Sequence, residues 1–112
     1  MEVKVDEVEG VHVVTVEGEL TNLTAIAFFN AVVGLRTRPG TRIVVDLHAV
    51  TYLDSMGAGQ LWRTVEGARA EGGQAILAAV PPVVRKVLDL VGFTGQVTMA
   101  ATVEEAVRAL KG

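Results

Sequence analysis

One short segment carries residue types suited to chemistry, Asp54-Ser55-Met56-Gly57-Ala58-Gly59. Ser55 is the only serine among 112 residues, although serine is one of the commonest residues in globular domains. The segment follows an apolar run and opens an amphipathic one, so its hydroxyl is predicted at a helix N-terminus. Free amides and the helix dipole favour negative charge there. Gly57 and Gly59 keep side-chain bulk away from that hydroxyl.

An ordinary helix cap is the competing interpretation of this segment. Ser or Asp before a helix is common, because either side chain accepts a hydrogen bond from a first-turn amide. Two features favour a further role for Ser55. Asp54 can cap the helix unaided, and Gly57 and Gly59 each cost about 1 kcal/mol relative to alanine within a helix.

The rest of the chain predicts a mixed α/β fold around this segment. Charged and apolar residues alternate near the start, Glu9-Gly10 is typical of a turn, and a second β-branched run follows, so a hairpin is expected. Arg42 to Leu47 is typical of a buried strand, and His48 to Asp54 is predicted as a short connection. The predicted order is β-β-α-β-α-β-α-β-α, with right-handed crossovers between parallel strands, in one domain over residues 1–112.

Two helices concern the site directly. The first is predicted from Thr21 to Leu35, capped by Thr21 or Asn22. Its apolar stripe is assigned to Leu23, Ile26, Ala27, Phe29 and Val33. The second is predicted from Ser55 to Glu71. Its inward face is assigned to Ala58, Leu61, Trp62, Val65 and Ala68.

Composition disfavours several classes of function. Ten basic and 13 acidic side chains give a net charge of −3, whereas nucleic-acid binders are basic. The chain has no cysteine and only two histidines, which disfavours thiol catalysis and a zinc site. No apolar run approaches the roughly 18–20 residues of a membrane span, and the charged start is unlike a signal peptide. We expect a soluble cytoplasmic domain with no cofactor, no metal, no nucleic-acid partner and no direct membrane insertion.

The segment from Ile43 to Gly57 resembles the signature of STAS domains, and more narrowly that of bacterial anti-sigma-factor antagonists. That signature is a hydrophobic strand, a polar connection, and Asp-Ser-x-Gly opening a helix. Three further segments are similar to motifs of the family, and the resemblance spans nearly the whole chain. They are Gly18-Glu19-Leu20, Gly72-Gly73 and Pro82 to Gly92.

The resemblance implies a function and a site. Family members bind an anti-sigma factor that is also an ATP-using serine kinase, which frees the sigma factor, and the complex separates when the kinase phosphorylates the serine after the aspartate. By position, that phosphoacceptor is Ser55, and a phosphatase is a possible second partner. The residues expected to contact the partner are Thr21, Asp54, Met56, Gly57, Gly59 and Trp62. Two of them depart from the family, which often has Asp where this chain has Thr21 and Ser or Thr where it has Met56.

Two other functions stay open at this point. A STAS domain can serve as an accessory subunit of a membrane transport system for lipids or anions, where the helix start docks a permease or ATPase. A small serine-dependent hydrolase would need His48, with Asp46 nearby, to act on Ser55. However, Ser55 lacks the Gly-x-Ser-x-Gly context of hydrolases, so we expect a protein that is not an enzyme.

Overall fold

The computed structural model describes residues 1–111, which form a five-stranded mixed sheet with four α-helices. The elements follow in chain order: β1 (Glu2–Val8), β2 (Val11–Leu20), α1 (Ala25–Arg36), β3 (Arg42–Leu53), α2 (Ser55–Ala70), β4 (Gln74–Ala78), α3 (Pro82–Leu90), a 3-10 turn (Thr94–Gln96), β5 (Thr98–Ala100) and α4 (Val103–Lys111). The predicted order of strands and helices is confirmed. None of the helices formed by residues 1–111 is long and apolar enough to cross a bilayer.

The strands lie in the sheet in the order in which they occur in the chain. β1 and β2 form an antiparallel hairpin, and β2 to β5 are parallel. The hairpin turns at Glu9 and Gly10, whose φ values of 51° and 82° are the positive angles that a two-residue hairpin turn requires. Because successive parallel strands are neighbours, the intervening helices α1, α2 and α3 all pack on one face of the sheet.

Two hydrophobic clusters fill the space on the two faces of the sheet. The larger cluster joins α1, α2 and α3 to alternate residues of the strands, among them Val14, Ile43, Val45 and Leu77. The smaller cluster joins α4 to the intervening strand residues, including Val13, Val44 and Ile76. The alternation follows from the period of two along a strand. The N-terminus of α4 is capped, since the Thr102 hydroxyl accepts a hydrogen bond from the Glu105 amide at 3.1 Å.

β3 is longer than the sequence indicates, since it continues through the predicted connection to Leu53. The alternation of the two strand faces is lost beyond Leu47, because the pairing of β2 with β3 shifts register twice. The shifts lie between Thr15 and Glu17 and between Gly18 and Glu19 of β2. Such bulges change the spacing of the buried residues from two to three, here at Leu47, Val50 and Leu53. A strand with this spacing does not show the period of two by which strands are recognised.

The first helix begins later and turns a different face inward than predicted. It starts at Ala25, and its buried residues are Ala25, Phe28, Val32 and Leu35. Three residues assigned to the inward stripe lie in water instead: Leu23 is 89% exposed, Ile26 is 74% exposed, and Ala27 is exposed as well. Apolar residues surround this helix on nearly all sides, so periodicity alone does not select the face that meets the sheet.

The orientation of α1 is open to a direct test. Replacing the fully buried Phe28 by alanine should lower the free energy of unfolding by about 3–5 kcal/mol, because a ring-sized cavity remains. Replacing Ile26 by alanine should change it by no more than about 0.5 kcal/mol, as for other exposed positions. Urea denaturation followed by circular dichroism measures both values. A cost for Ile26→Ala equal to that of Phe28→Ala would contradict the described orientation.

Candidate functional site

The start of α2 is organised by the carboxylate of Asp54. Asp54 is the N-cap of the helix, and its Oδ1 accepts a hydrogen bond from the Gly57 amide at 2.8 Å. Its Oδ2 accepts a second from the Asn22 amide at 2.8 Å. The Asp54 amide in turn donates to the Leu20 carbonyl at 3.3 Å. One side chain therefore joins the first turn of α2 to the segment that leads from β2 into α1.

Ser55 and Met56 occupy the first two positions of α2, and both are exposed. Since Asp54 supplies the cap, the Ser55 hydroxyl is not needed for that purpose. The first amides of a helix have no partner within it, and they give this end a partial positive charge. Met56 is 55% exposed, which leaves a large apolar side chain beside the hydroxyl.

The two glycines of the segment differ in what the structure requires of them. A Cβ atom at Gly57 would lie 2.1 Å from the Leu20 carbonyl oxygen and 2.8 Å from Leu53 Cδ1, so only glycine fits there. A Cβ at Gly59 would meet nothing within 4 Å. Gly57 is therefore set by the close approach of helix and strand rather than by access to the hydroxyl, and Gly59 has no packing reason to be glycine.

Thr21, expected on the partner surface, is only 9% exposed. Its hydroxyl accepts a hydrogen bond from the Leu23 amide at 3.2 Å, and its amide donates to the Thr24 hydroxyl at 2.9 Å. The Thr21 carbonyl also accepts from the amides of Thr24 and Ala25. Thr21 thus shapes the turn before α1, and its burial does not fit a direct contact with a partner. The same is true of Gly57, which is buried.

Trp62 lies within α2 and is half-buried rather than fully in the core. Its ring stacks on that of Phe93, with centroids 5.2 Å apart and planes inclined by 17°. Phe93 follows α3, so the pair joins the second helix to the segment after the third. The contact with Phe93 covers part of the Trp62 indole, and the rest of the ring remains exposed at the surface.

Asp46 and His48 form a pair on the other side of the sheet. Asp46 faces α4, since it pairs in register with Ala78 of the smaller cluster. His48 Nδ1 lies 2.8 Å from Asp46 Oδ1, and this hydrogen bond, with the charge of Asp46 and a weaker effect of Glu17, raises the pKa of His48. Ser55 begins a helix on the opposite face, so His48 does not pair with it as a general base.

Sequence reasoning missed two exposed apolar residues, Leu23 and Ile26, on the segment that is joined to this site. Asn22 bonds to Asp54, so Leu23 follows directly after a residue that touches the start of α2. Ile26 lies in the first turn of α1, which follows that segment. Tyr52 is 51% exposed, but it precedes Leu53 of the larger cluster in the strand and therefore points to the other face of the sheet. We call Leu23, Ile26 and Met56 the apolar patch. The sequence does indicate that some apolar residues of this region are exposed, because α1 contains more of them than a single inward face can bury.

The difference between the two glycines gives a matched pair of variants. Gly57→Ala should destabilise the protein by about 1–3 kcal/mol, because the new methyl group must displace the Leu20 carbonyl or the helix. Gly59→Ala should stabilise it by up to about 1 kcal/mol, through helix propensity alone. Thermal and urea unfolding measure both. Equal effects of the two substitutions would argue against the close approach of α2 and β2.

Comparison with known proteins places this arrangement in a family. The STAS domain family model matches residues 2–106. An anti-sigma factor antagonist from Mycobacterium paratuberculosis is similar over 99% of this chain and 94% of its own, with 30% identity and a TM-score of 0.86. The anti-sigma factor antagonist SpoIIAA in its unphosphorylated form is similar over 99% of both chains, with 23% identity and a TM-score of 0.73.

The same fold is also found within a transporter. The murine Solute Carrier 26 family member A9 anion transporter matches 95% of this chain with a TM-score of 0.78 and 19% identity, but only 18% of the transporter is covered. The family match over residues 2–106 and the 30% identical antagonist agree with the mixed sheet and the helix that begins at Ser55. The chain belongs to the STAS domain family.

Proposed function

We propose that this protein is an anti-sigma-factor antagonist that binds an anti-sigma factor with serine kinase activity, frees the sigma factor, and is switched off by phosphorylation of Ser55. The proposed role is cytoplasmic, in the control of transcription under stress. The similarity to the mycobacterial antagonist supports the general role. The observation that carries the switch is the position of Ser55, an exposed hydroxyl at the first residue of α2.

A kinase can use this hydroxyl without unfolding the domain. Asp54 caps the helix and holds the Asn22 amide, so the local structure does not rely on the Ser55 side chain. A phosphoryl group transferred from ATP to the Ser55 oxygen would stand at the positive end of the helix dipole, where the folded domain tolerates negative charge. Modification would therefore change the surface and leave the fold intact.

The surroundings of Ser55 explain why such a charge would release a partner. The apolar patch has exposed fractions of 89% at Leu23, 74% at Ile26 and 55% at Met56. Large exposed apolar residues on neighbouring segments are typical of a protein-binding surface. Phosphorylation adds a charge of about −1.5 to −2, which is costly to bury against an apolar or acidic partner. A change of about 3–4 kcal/mol would weaken binding a few hundred-fold.

The proposal predicts opposite behaviour for two Ser55 variants. The cognate kinase is first isolated by pull-down from the native cell with unmodified protein, and mass spectrometry identifies the partners and phosphate on Ser55. Ser55→Asp should weaken binding of that kinase about tenfold or more, because it carries a smaller charge than phosphate. Ser55→Ala should bind like the unmodified protein and should not be released when ATP is added. Isothermal calorimetry measures both.

Thr102→Asp is the matched control for the added charge. It also places an acid at a helix N-terminus, but α4 lies on the opposite face, and aspartate replaces threonine as a cap. Its binding should equal that of the unmodified protein. If Ser55→Asp binds as tightly as Thr102→Asp, or if Ser55→Ala is released by ATP, the switch does not operate at Ser55.

The apolar patch gives a second, separate prediction. Leu23→Ala and Ile26→Ala should each weaken kinase binding about tenfold, as truncation of central apolar contacts does, while the free energy of unfolding hardly changes. Leu90→Ala on α3 is the control, since Leu90 is 77% exposed but lies on another helix. Surface plasmon resonance compares the three variants. Equal binding by all of them would place the partner surface elsewhere.

A role as accessory subunit of a transport system is the second candidate, favoured by the same fold within the murine anion transporter. In that role the start of α2 would dock a permease or ATPase, and Ser55 would need no phosphate. Incubation with ATP and the kinase isolated above separates the two functions, because only the antagonist should acquire phosphate on Ser55. A serine-directed fluorophosphonate probe tests for a hydrolase, and we expect no labelling.

A further inference from the structure

The outer edge of the seven-residue strand β1 has no neighbouring strand among residues 1–111. Within residues 1–111, β1 pairs only with β2, and it lies at one end of the sheet. A strand edge offers its outward amides and carbonyls to another chain. Two apolar residues of β1 are also poorly covered, since Val5 is 43% and Val8 is 42% exposed.

The geometry of the hairpin determines which backbone groups point outward. Because the turn contains only Glu9 and Gly10, Val8 and Val11 are the hydrogen-bonded pair that closes it. Hydrogen-bonded and non-bonded pairs then alternate along an antiparallel ladder. The amides and carbonyls of residues 2, 4, 6 and 8 consequently face β2. Those of Val3, Val5 and Glu7 face away from the sheet.

A second copy of the chain can satisfy all of these outward groups when the two β1 strands run antiparallel about a two-fold axis at Val5. Val5 then pairs with Val5 of the second copy, and Val3 pairs with Glu7. Between them, in the closely spaced non-bonded positions, Lys4 faces Asp6 of the second copy, and the symmetry repeats this pair. Opposite charges therefore meet at both flanks of the axis.

Other registers that use the same outward groups bring like charges together. If the two-fold axis lies at Lys4 instead of Val5, Lys4 stands opposite Lys4 of the second copy. If the axis lies at Asp6, Asp6 stands opposite Asp6 of the second copy. An in-register parallel pairing has both of these repulsions at once. Like charges directly opposite destabilise a strand pair, so the charge pattern of β1 selects the register centred on Val5.

We propose that two copies of this protein associate through antiparallel pairing of β1 with β1, centred on Val5, to form a continuous ten-stranded sheet. Both copies carry α1, α2 and α3 on the same face of that sheet, because residues directly opposite share a face. Ser55 follows the end of β3 in each copy. Because the strands of the two copies run in opposite directions, the two Ser55 residues lie at opposite ends of the ten-stranded sheet, measured along the strands. The interface contains no residue of the apolar patch, so it does not depend on the proposed function.

Charge exchange between Lys4 and Asp6 tests the register. Lys4→Glu should weaken the dimer about tenfold or more, because both symmetric pairs become repulsive, and Asp6→Lys should do the same. The double variant restores the opposite pairs and should dimerise like the unmodified protein. Sedimentation equilibrium up to millimolar concentration measures the association, and Lys86→Glu on the exposed side of α3 controls for net charge.

Two further measurements keep the test independent of charge. Val5→Pro removes an outward amide that β2 does not use, so it should abolish the dimer while circular dichroism shows the monomer folded. Hydrogen exchange should protect the amides of Val3, Val5 and Glu7 only at high protein concentration. The proposal is overturned if the unmodified protein stays monomeric up to millimolar concentration, or if it dimerises and neither the charge variants nor Val5→Pro alter the association.

Discussion

A single carboxylate holds together the surface on which the proposed function depends. Asp54 accepts one hydrogen bond from its own helix and one from Asn22, at 2.8 Å each. Bonds from amides to an ionised acceptor are stronger than those between neutral groups. The carboxylate therefore fixes the start of α2 relative to the turn before α1. Through that link, the segment that carries Leu23 is joined to the helix start that carries Ser55.

The close contact between helix and strand complements this link. Gly57 lies against the Leu20 carbonyl, and that carbonyl also accepts from the Asp54 amide. The helix N-terminus is thus fixed by the backbone as well as by the cap. A phosphate on Ser55 would stand on a rigid base, and its effect would fall on the partner surface rather than on the conformation of the domain.

Much of the fold could be predicted from the sequence, because the hairpin turn, the buried strands and the capped α4 each have a local signal. β3 was predicted too short because its bulges obscure the period of two beyond Leu47. α1 was assigned the wrong inward face because it is apolar nearly all round, and only its contact with the sheet selects Phe28 and Val32. Local patterns do not contain that contact.

The site was predicted in part, for similar reasons. The position of Ser55 at a helix start follows from the adjacent sequence, and the structure has it there. The hydrogen bond between Asn22 and Asp54 joins residues 32 apart in the chain, so no local pattern indicates it. The burial of Thr21 and the exposure of Leu23 both follow from that turn. The exposure of the expected partner-binding residues therefore differs from the prediction mainly where tertiary contacts set the orientation.

The strand order has a consequence for how the chain folds. Each parallel strand is added beside the one before it, so the loop that each parallel pairing closes contains only one α-helix. α4 is the exception, because it packs across β2 to β5 and Lys111 bonds to Glu9, 102 residues earlier. The apolar face of α4 is therefore covered only once these strands have paired, and its packing brings residues that are far apart in the sequence together.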